Sequence, residues 1–307
     1  MTASYPPVDP AIHAAAHKLF SFRRVFAIAG NTFRDLVRQK VFYFMVVFAL
    51  ILIGLSLTLA GLSFQGQLQT VMDVSLGAMS IFTMMLAVLS TAMLLPKDME
   101  DRTLYTILAK PVARFEYLVG KLLGVTLVLI AAILLMTAVF MLVLWYWQGR
   151  EITALQMAHP PERAAQEIAN LRAGTFTPTL FGGIGVLLLR AIVCATLTLM
   201  VSCFATSWLF TVIIAFTAIL IGHLVPIARG VWQDPISGGM GGSVATDWFL
   251  RVITIFFPDM QLFNVVDDIA VGTQVSASIF GSVAGLGFGY IAIYMLVAYL
   301  FFAWREL

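Results

Sequence analysis

The sequence of residues 122–147 is LLGVTLVLIAAILLMTAVFMLVLWYW, a stretch without a single charged side chain. A helix needs about 20 mainly apolar residues to cross the hydrocarbon core of a bilayer. The apolar residues here are continuous rather than alternating with polar ones, which favours a helix over a strand of a membrane barrel. This segment therefore predicts a membrane-spanning α-helix, and other parts of the chain repeat its pattern.

The composition of the whole chain supports the same class of protein. Hydrophobic residues make up 61% and charged residues 11%, whereas soluble domains have about 45–50% and about 25%. A water-soluble fold of 307 residues could not bury so much apolar surface, so the bilayer must act as the solvent. We expect an all-α polytopic membrane protein with six transmembrane helices. The predicted spans are residues 41–63, 74–95, 122–147, 179–203, 208–228 and 279–303.

The basic residues predict how the spans are oriented. Lys and Arg gather before the first span, between the second and third, and after the sixth, where 12 of the 18 lie. Because cytoplasmic loops carry the excess of Lys and Arg, this side is predicted to be cytoplasmic. Both termini then lie in the cytoplasm, and the expected location is a bacterial inner (cytoplasmic) membrane.

The chain before the first span divides into two predicted parts. Residues 1–17 are rich in Pro and Ala and predict a disordered tail, and residues 18–40 predict an amphipathic helix at the membrane surface. One apolar face of that helix is formed by Phe22, Phe26, Ala29, Phe33 and Leu36. A simpler alternative is a basic juxtamembrane segment that only sets the topology. Residues 41–307 would form the six-span domain.

The predicted outer loop, residues 148–178, contains the signals of a short helix. Pro161 suits the first helical position, Arg172 the last turn and Gly174 the C-terminal stop. Such a helix could contact a periplasmic protein, cap an entrance, or form nothing more than an ordered loop.

The loop between the second and third spans predicts a helix that is capped at both ends. Asp98 suits the N-cap position, with Asp101 three residues later, and the Lys110-Pro111 pair ends the helix. Residues 98–109 would then form a rigid amphipathic helix on the cytoplasmic side. A helix of this kind is suited to a groove of a soluble partner, whose motion it could transmit.

The order and spacing of several motifs resemble the exporter-type (type-2, ABC-2) permeases of ABC transporters. The motifs are Asp101-Arg102-Thr103, Ala109-Lys110-Pro111, Arg114, Gly120-Lys121, Ile221-Gly222-His223-Leu224 and Phe257-Pro258-Asp259-Met260-Gln261-Leu262-Phe263-Asn264. The most similar branch is that of multicopper-enzyme maturation, which includes the nitrous-oxide-reductase assembly permease. The similarity extends from about residue 22 to the C-terminus.

The resemblance implies a permease that dimerises, most simply with a second copy of itself, and binds two copies of a separate ABC ATP-binding subunit. Those subunits would bind ATP and magnesium, and this chain would hold no cofactor and no metal. Residues 18–40 would be the elbow helix, residues 98–109 the coupling helix and residues 229–278 an outer gate segment. The ATPase-coupling residues would be Asp98, Glu100, Asp101, Arg102, Thr103, Leu104, Tyr105, Leu108, Lys110, Pro111 and Arg114.

The chain itself is not expected to be an enzyme. Gly120-Lys121 resembles part of a phosphate-binding loop, but Phe115 replaces the glycine required five residues before Gly120, and Leu122 replaces the following Ser or Thr. The predicted spans also contain no paired carboxylates, no Ser-His pair and no His-Glu metal motif. The energy for export would therefore come from a partner.

Other functions remain open at this point. The same machine could change the conformation of a periplasmic partner without transporting anything, which is mechanotransmission. An ATP-independent channel or carrier would be expected to show more polar spans or internal repeats. The expected partners are membrane lipids and proteins, and no nucleic acid. The sequence does not identify a substrate.

Five residues inside the spans are candidates for function or packing. Arg190 lies near the middle of the fourth span, where an arginine costs about 2.5–3.5 kcal/mol; it lines a translocation path, pairs between helices, or snorkels outward. His223 either lines such a path or makes a structural hydrogen bond. Gly281, Gly285 and Gly289 form a small-residue face for close packing, at a dimer interface or within one chain.

Overall fold

The structure is a computed structural model that describes residues 21–62, 67–100, 113–158, 160–233, 257–264 and 277–304. It is 93% helical and the described residues form no strand. Six of the helices are long and apolar enough to cross a membrane. The predictions of an all-α fold and of six spans are therefore confirmed.

We number the helices in chain order. They are α1 (Phe22–Val37), α2 (Lys40–Leu62), α3 (Gln67–Ala92), α4 (Leu94–Glu100), α5 (Arg114–Ala158), α6 (Pro161–Thr175), α7 (Pro178–Phe204), α8 (Trp208–Gln233) and α9 (Ala277–Trp304), with a short 3-10 helix (Met260–Phe263) before α9. The six spans are α2, α3, α5, α7, α8 and α9. Residues 1–17 and much of the predicted outer gate segment lie outside the described residues.

The predicted boundaries agree with the observed helix ends for some spans and not for others. Helices α2, α7 and α9 match the predicted segments to within two residues at each end. By contrast, α3 already begins at Gln67 and α8 continues to Gln233, while α5 has 45 residues. At 1.5 Å per residue α5 is about 68 Å long, roughly twice the hydrocarbon thickness of about 30 Å. Apolar residues mark only the part of a helix that lies in lipid, whereas its backbone hydrogen bonding can continue into water.

Helices α7 and α3 form the centre of the bundle. In their most apolar windows 72% and 61% of the residues are buried, against 28–33% for α2, α8 and α9. The peripheral helices expose large apolar side chains, among them Phe44, Phe210 and Phe288. Such an exposed apolar surface is unfavourable in water and matches a helix face that contacts lipid.

The spans alternate in direction, so that the start of α5 and the ends of α7 and α9 meet at one end of the bundle. The rings of Phe115 and Tyr299 are 5.8 Å apart, and those of Phe204 and Phe301 are 5.4 Å apart. We call this the basic end, because Lys97, Lys121 and several arginines lie there. The first and last described helices both have one end here, as expected if both termini are on one side.

The opposite end of the bundle carries a helical hairpin formed by α5 and α6. Helix α6 begins at Pro161, as predicted, with Arg172 in its last turn. The predicted stop at Gly174 is wrong by one residue, since the helix continues to Thr175. The Thr175 hydroxyl donates to the Leu171 carbonyl at 2.7 Å, and the side chain is buried.

Helix α1 packs against the first turns of α5. Its buried residues are Val25, Ala29, Thr32 and Leu36, whereas Phe22 and Phe26 are 70% and 66% exposed. The packed face is therefore rotated away from the aromatic face that the sequence predicts. The reason is that α5 presents glycines to α1, and small side chains allow the closest approach.

Candidate functional site

The basic end holds a cluster of polar contacts that link four helices. The cluster contains the ion pair between Asp98 and Lys121, the buried Glu116 with Arg24, and Arg114 at the end of α9. It lies at the end of α4 and the start of α5, the described segments on either side of residues 101–112. Each of these contacts comes from a helix terminus or from the first two turns of α5.

Asp98 joins the end of the second span to the start of the third. Its carboxylate Oδ2 lies 2.6 Å from Lys121 Nζ, and it also accepts a short hydrogen bond from the Tyr117 hydroxyl. The Lys121 side chain is only 8% exposed. A buried ion pair must have good geometry to offset the desolvation of its charges, and the phenol supplies an additional donor.

The prediction that Asp98 begins a new helix as an N-cap is wrong. Asp98 lies inside α4, which starts at Leu94 and is already helical through Glu100. The polar pattern of residues 97–101 suggested a helix start because Asp at a helix N-terminus and Asp paired across a helix interface look alike in sequence. The structure shows that this carboxylate faces α5.

Glu116 anchors α1 to α5 and was not identified by the sequence analysis. Its side chain is fully buried, and its Oε1 accepts from the backbone N–H of Ser21 at 2.6 Å and from Arg24 Nη2 at 3.0 Å. Ser21 is the N-cap residue of α1, so the carboxylate satisfies an N–H at the start of that helix and also matches its positive dipole.

Arg114 binds the last turn of α9. Its Nη1 donates to the carbonyl oxygens of Phe302 at 3.1 Å and of Ala303 at 2.6 Å. The last carbonyls of a helix have no partner within the helix, and a cation there also interacts favourably with the helix dipole. Next to this contact the Tyr117 ring stacks on Phe302 with centroids 5.8 Å apart. Arg114 therefore fastens the third span to the sixth.

Glu100 and Lys97 are the charged side chains that α4 leaves exposed. Together with Met93 and Trp208 they line a cavity of about 270 Å³ between the end of α4 and the start of α8. Trp208 is itself 43% exposed. The described part of the basic end thus presents charged groups and an aromatic side chain on one open surface.

The other residues predicted to couple to an ATPase lie outside the described residues. They are Asp101, Arg102, Thr103, Leu104, Tyr105, Leu108, Lys110 and Pro111. Of the predicted set the structure therefore describes Asp98, Glu100 and Arg114. Asp98 contacts α5, Arg114 contacts the end of α9, and Glu100 is exposed.

A second polar cluster connects three spans in the interior. Arg190 on α7 is only 7% exposed; its Nη1 donates to Ser80 Oγ on α3 at 3.0 Å, and its Nη2 bonds His223 Nε2 on α8. Because a guanidinium can only donate, His223 Nε2 must be the acceptor. The other nitrogen, Nδ1, then carries the hydrogen and donates it to the Ile219 carbonyl at 2.9 Å.

These contacts test the structural interpretations of Arg190 and His223 that the sequence analysis offered. The snorkelling interpretation is wrong, since the Arg190 side chain lies buried between three spans. His223 makes the structural hydrogen bonds that one interpretation expected. A role in a translocation path stays a prediction for both residues.

The two motifs near the end of the sequence contact each other. A Cβ atom on Gly222 would lie 2.5 Å from the Pro258 carbonyl oxygen, so only glycine permits this approach. Asp259 then caps the 3-10 helix by accepting from the Gln261 N–H at 3.0 Å. The contact holds residues 257–264 against α8 at the residue next to His223.

Two glycine rows have different surroundings, and the sequence analysis singled out only the row of α9. A Cβ on Gly281, Gly285 or Gly289 would meet nothing within 4 Å among the described residues. By contrast, a Cβ on Gly120 would lie 2.8 Å from Ile28 Cβ, and one on Gly124 would lie 2.5 Å from Thr32 Cβ. The α5 row therefore packs closely against α1, whereas the row of Gly281, Gly285 and Gly289 faces outward from the described bundle.

The sequence contained one signal for this interface. Gly120 and Gly124 are spaced four apart, the same small-residue pattern that drew attention to α9. Nothing in the sequence pairs Glu116 with Arg24, since they are 92 positions apart and an acidic residue in the first turn of a helix is common for its dipole alone.

The described residues contain no group of three or more His, Cys, Asp or Glu side chains that could hold a metal ion. A scan against protein-family models finds no matching family. A search of curated proteins likewise finds no match. The resemblance to ABC-2 permeases therefore rests on the motifs quoted above.

Proposed function

We propose that this chain is the membrane-spanning permease subunit of an ATP-binding cassette exporter, which couples ATP hydrolysis by a separate subunit to export of a substrate. The observation that carries the proposal is the bracing of the basic end. Glu100 and Arg114 flank residues 101–112, and the helices on both sides are tied to each other by Asp98, Tyr117 and Lys121.

The bracing supports the proposal because it suits the transmission of a force. A push on residues 101–112 would act on α4 and α5 together, since the ion pair at 2.6 Å links them. Arg114 would pass the movement to α9 and Glu116 would pass it to α1. Helix ends that served only to connect two spans would not need contacts that link four helices. Such a segment resembles the coupling elements through which conformational steps control transport.

The partners follow from this proposal. Two ATP-binding subunits, which also bind the magnesium, would contact the basic end in the cytoplasm, where Lys97 and Glu100 are exposed. A second copy of this chain would complete the path, and the open face with Gly281, Gly285 and Gly289 is suited to close helix contact. The location would be a bacterial inner membrane with both termini in the cytoplasm.

A second candidate function, mechanotransmission to a periplasmic protein, is favoured by one observation. Helix α5 is continuous from Arg114 at the basic end to Ala158 in the hairpin. A movement at one end of this rod would reach the other end without an intervening hinge. In this case the complex would change the conformation of a protein bound to the hairpin and would transport no substrate.

The test is ATP hydrolysis by the complex purified through this chain from its own membrane. The variant changes Glu100, Asp101 and Arg102 to alanine. The control changes Glu162 and Arg163 to alanine, which removes exposed charges of both signs from the hairpin. We expect an ATPase to co-purify with the wild type and the control. The triple variant, called the Glu100 variant below, should lose the ATPase or its activity.

The result that contradicts the proposal is a chain that purifies without any nucleotide-binding protein after gentle extraction. Equal ATPase activity in the Glu100 variant and the control would leave the complex intact but contradict the coupling role of the loop. Transport in proteoliposomes would then distinguish export from mechanotransmission, since only export accumulates a substrate.

A further inference from the structure

The foot of the hairpin contains an open cavity that the proposed function does not use. It has a volume of about 430 Å³ and lies between the far end of α5 and the last turns of α6. Its main lining residues are Trp145, Tyr146, Gln148, Arg150, Thr153 and Arg172. Two aromatic side chains, two guanidinium groups, an amide and a hydroxyl thus face one space that is large enough for a lipid headgroup.

The two arginines of this cavity are available to a ligand. Among the described residues no carboxylate lies within 4 Å of Arg150 or Arg172, and neither makes a hydrogen bond through its side chain. Two like charges that line the same cavity repel each other, so an anion between them would be stabilised. Phosphate is the anion that a guanidinium binds best, because its oxygens can accept two parallel hydrogen bonds.

The position of the cavity along α5 favours a lipid as the source of that phosphate. The apolar segment ends at residue 147, and Arg150 lies three residues further, which is about 4–5 Å along the helix. The headgroup layer on each side of a bilayer is about 5–8 Å thick. Trp145 and Tyr146 lie just before this level, where such rings are enriched, and they are 69% and 50% exposed.

We propose that Arg150 and Arg172 bind the phosphate of an anionic phospholipid in the leaflet on the hairpin side. Trp145 and Tyr146 would contact the glycerol backbone and the upper acyl chains, and Gln148 would hydrogen-bond the headgroup. The lipid would fill the space between α5 and α6 and hold the hairpin at a fixed height above the membrane. This inference is independent of the proposed function, because it holds whether or not an ATPase binds the other end.

The experiment is a titration of the purified full chain with phosphatidylglycerol, followed by native mass spectrometry of the bound lipid. The variant is Arg150→Gln/Arg172→Gln, and the matched control is Arg163→Gln, which removes an exposed arginine of α6 that does not line the cavity. We expect the wild type and the control to retain one tightly bound lipid per chain. We expect the double variant to bind it at least tenfold more weakly, with unchanged helical content by circular dichroism.

Two further arms identify the source of the phosphate. Phosphatidylcholine should bind the wild type at least tenfold more weakly than phosphatidylglycerol, because its choline cation is repelled by the arginines. Soluble glycerol phosphate should not displace the lipid at the same concentration, because it lacks acyl chains. Displacement by glycerol phosphate would overturn the lipid assignment. Equal losses in the double variant and in Arg163→Gln, or no loss in either, would overturn the site itself.

Discussion

Two rows of glycines with the same spacing have different surroundings in this molecule. Gly120 and Gly124 on α5 lie against the backbone and side chains of α1. Gly281, Gly285 and Gly289 on α9 repeat the same four-residue spacing, yet a Cβ built on any of them meets no described atom within 4 Å apart from its own stretch of helix. The spacing that permits close packing is therefore not sufficient to produce it.

The difference lies in what stands opposite each row. Facing the α5 row is one side of α1, formed by Val25, Ile28, Ala29 and Thr32. The adjacent Glu116 holds the start of α1 in place by an ion pair and a hydrogen bond. On α9 the glycine that packs within the chain is Gly287, which lies on another face and whose Cβ would be 2.6 Å from Leu189. In the described chain the packed row is the one that has both a facing helix and a polar anchor.

The strongest test of this comparison is Gly124→Val. The new Cβ would lie 2.5 Å from Thr32 Cβ and 2.9 Å from the Ala29 carbonyl oxygen, and backbone at that distance cannot yield without moving α1. We expect the free energy of unfolding to fall by about 3 kcal/mol. Reconstituted protein should also become sensitive to trypsin at Arg34 and Arg38 of α1. Unchanged stability together with full protection from trypsin would show that α1 does not dock on this row.

A smaller loss is expected from Glu116→Ala, which removes the anchor but leaves the glycines. The Arg24 side chain is 27% exposed and can regain water, so we expect a loss of about 2 kcal/mol rather than the larger cost of a fully buried unpaired charge. Thermal unfolding in detergent measures it. The matched variant Glu116→Gln still accepts the Ser21 N–H and should lose about half as much. An equal effect of both variants would assign the whole contribution to the charge.

Gly120→Ala should have a weaker effect than Gly124→Val. Its Cβ would lie 2.8 Å from Ile28 and 3.1 Å from the Val25 carbonyl oxygen, and the lower helix propensity of glycine offsets part of this overlap. We expect a net loss of about 1 kcal/mol, measured under the same unfolding conditions. A gain in stability would mean that α1 can shift outward by a few tenths of an ångström without cost.

Gly285→Ala should have the smallest effect of the series on the single chain. Nothing among the described residues obstructs the added methyl group, so the unfolding midpoint of the monomer should stay the same or rise slightly. The self-association of the chain in detergent is the informative second measurement. A bulky Gly285→Leu that leaves the monomer stable but weakens a dimer would show that a second copy covers this face. Destabilisation of the monomer by Gly285→Ala would contradict the open environment of the row.

The residues that sequence reasoning placed correctly share one property, which is that their signal is local. Continuous apolar segments locate a spanning helix without knowledge of its neighbours, and the ends of α2, α7 and α9 agree with the prediction within two residues. Pro161 likewise begins α6 because its fixed backbone angle suits a first helical turn. By contrast, the assignment of Asp98 as an N-cap failed because a carboxylate near a helix end can serve that helix or a distant one.

The sequence by itself determined that this protein is an all-α membrane protein with six spans, because the transfer of apolar side chains into lipid depends on composition and on the length of each segment. Only the tertiary structure decided which face of each helix is covered and which charges meet. Glu116 pairs with Arg24 and Asp98 with Lys121, and Arg190 hydrogen-bonds Ser80 and His223. Each of these contacts joins residues that are far apart in the chain. Burial of a charge is tolerated only with a partner at hydrogen-bonding distance, and that distance is a property of the packed bundle.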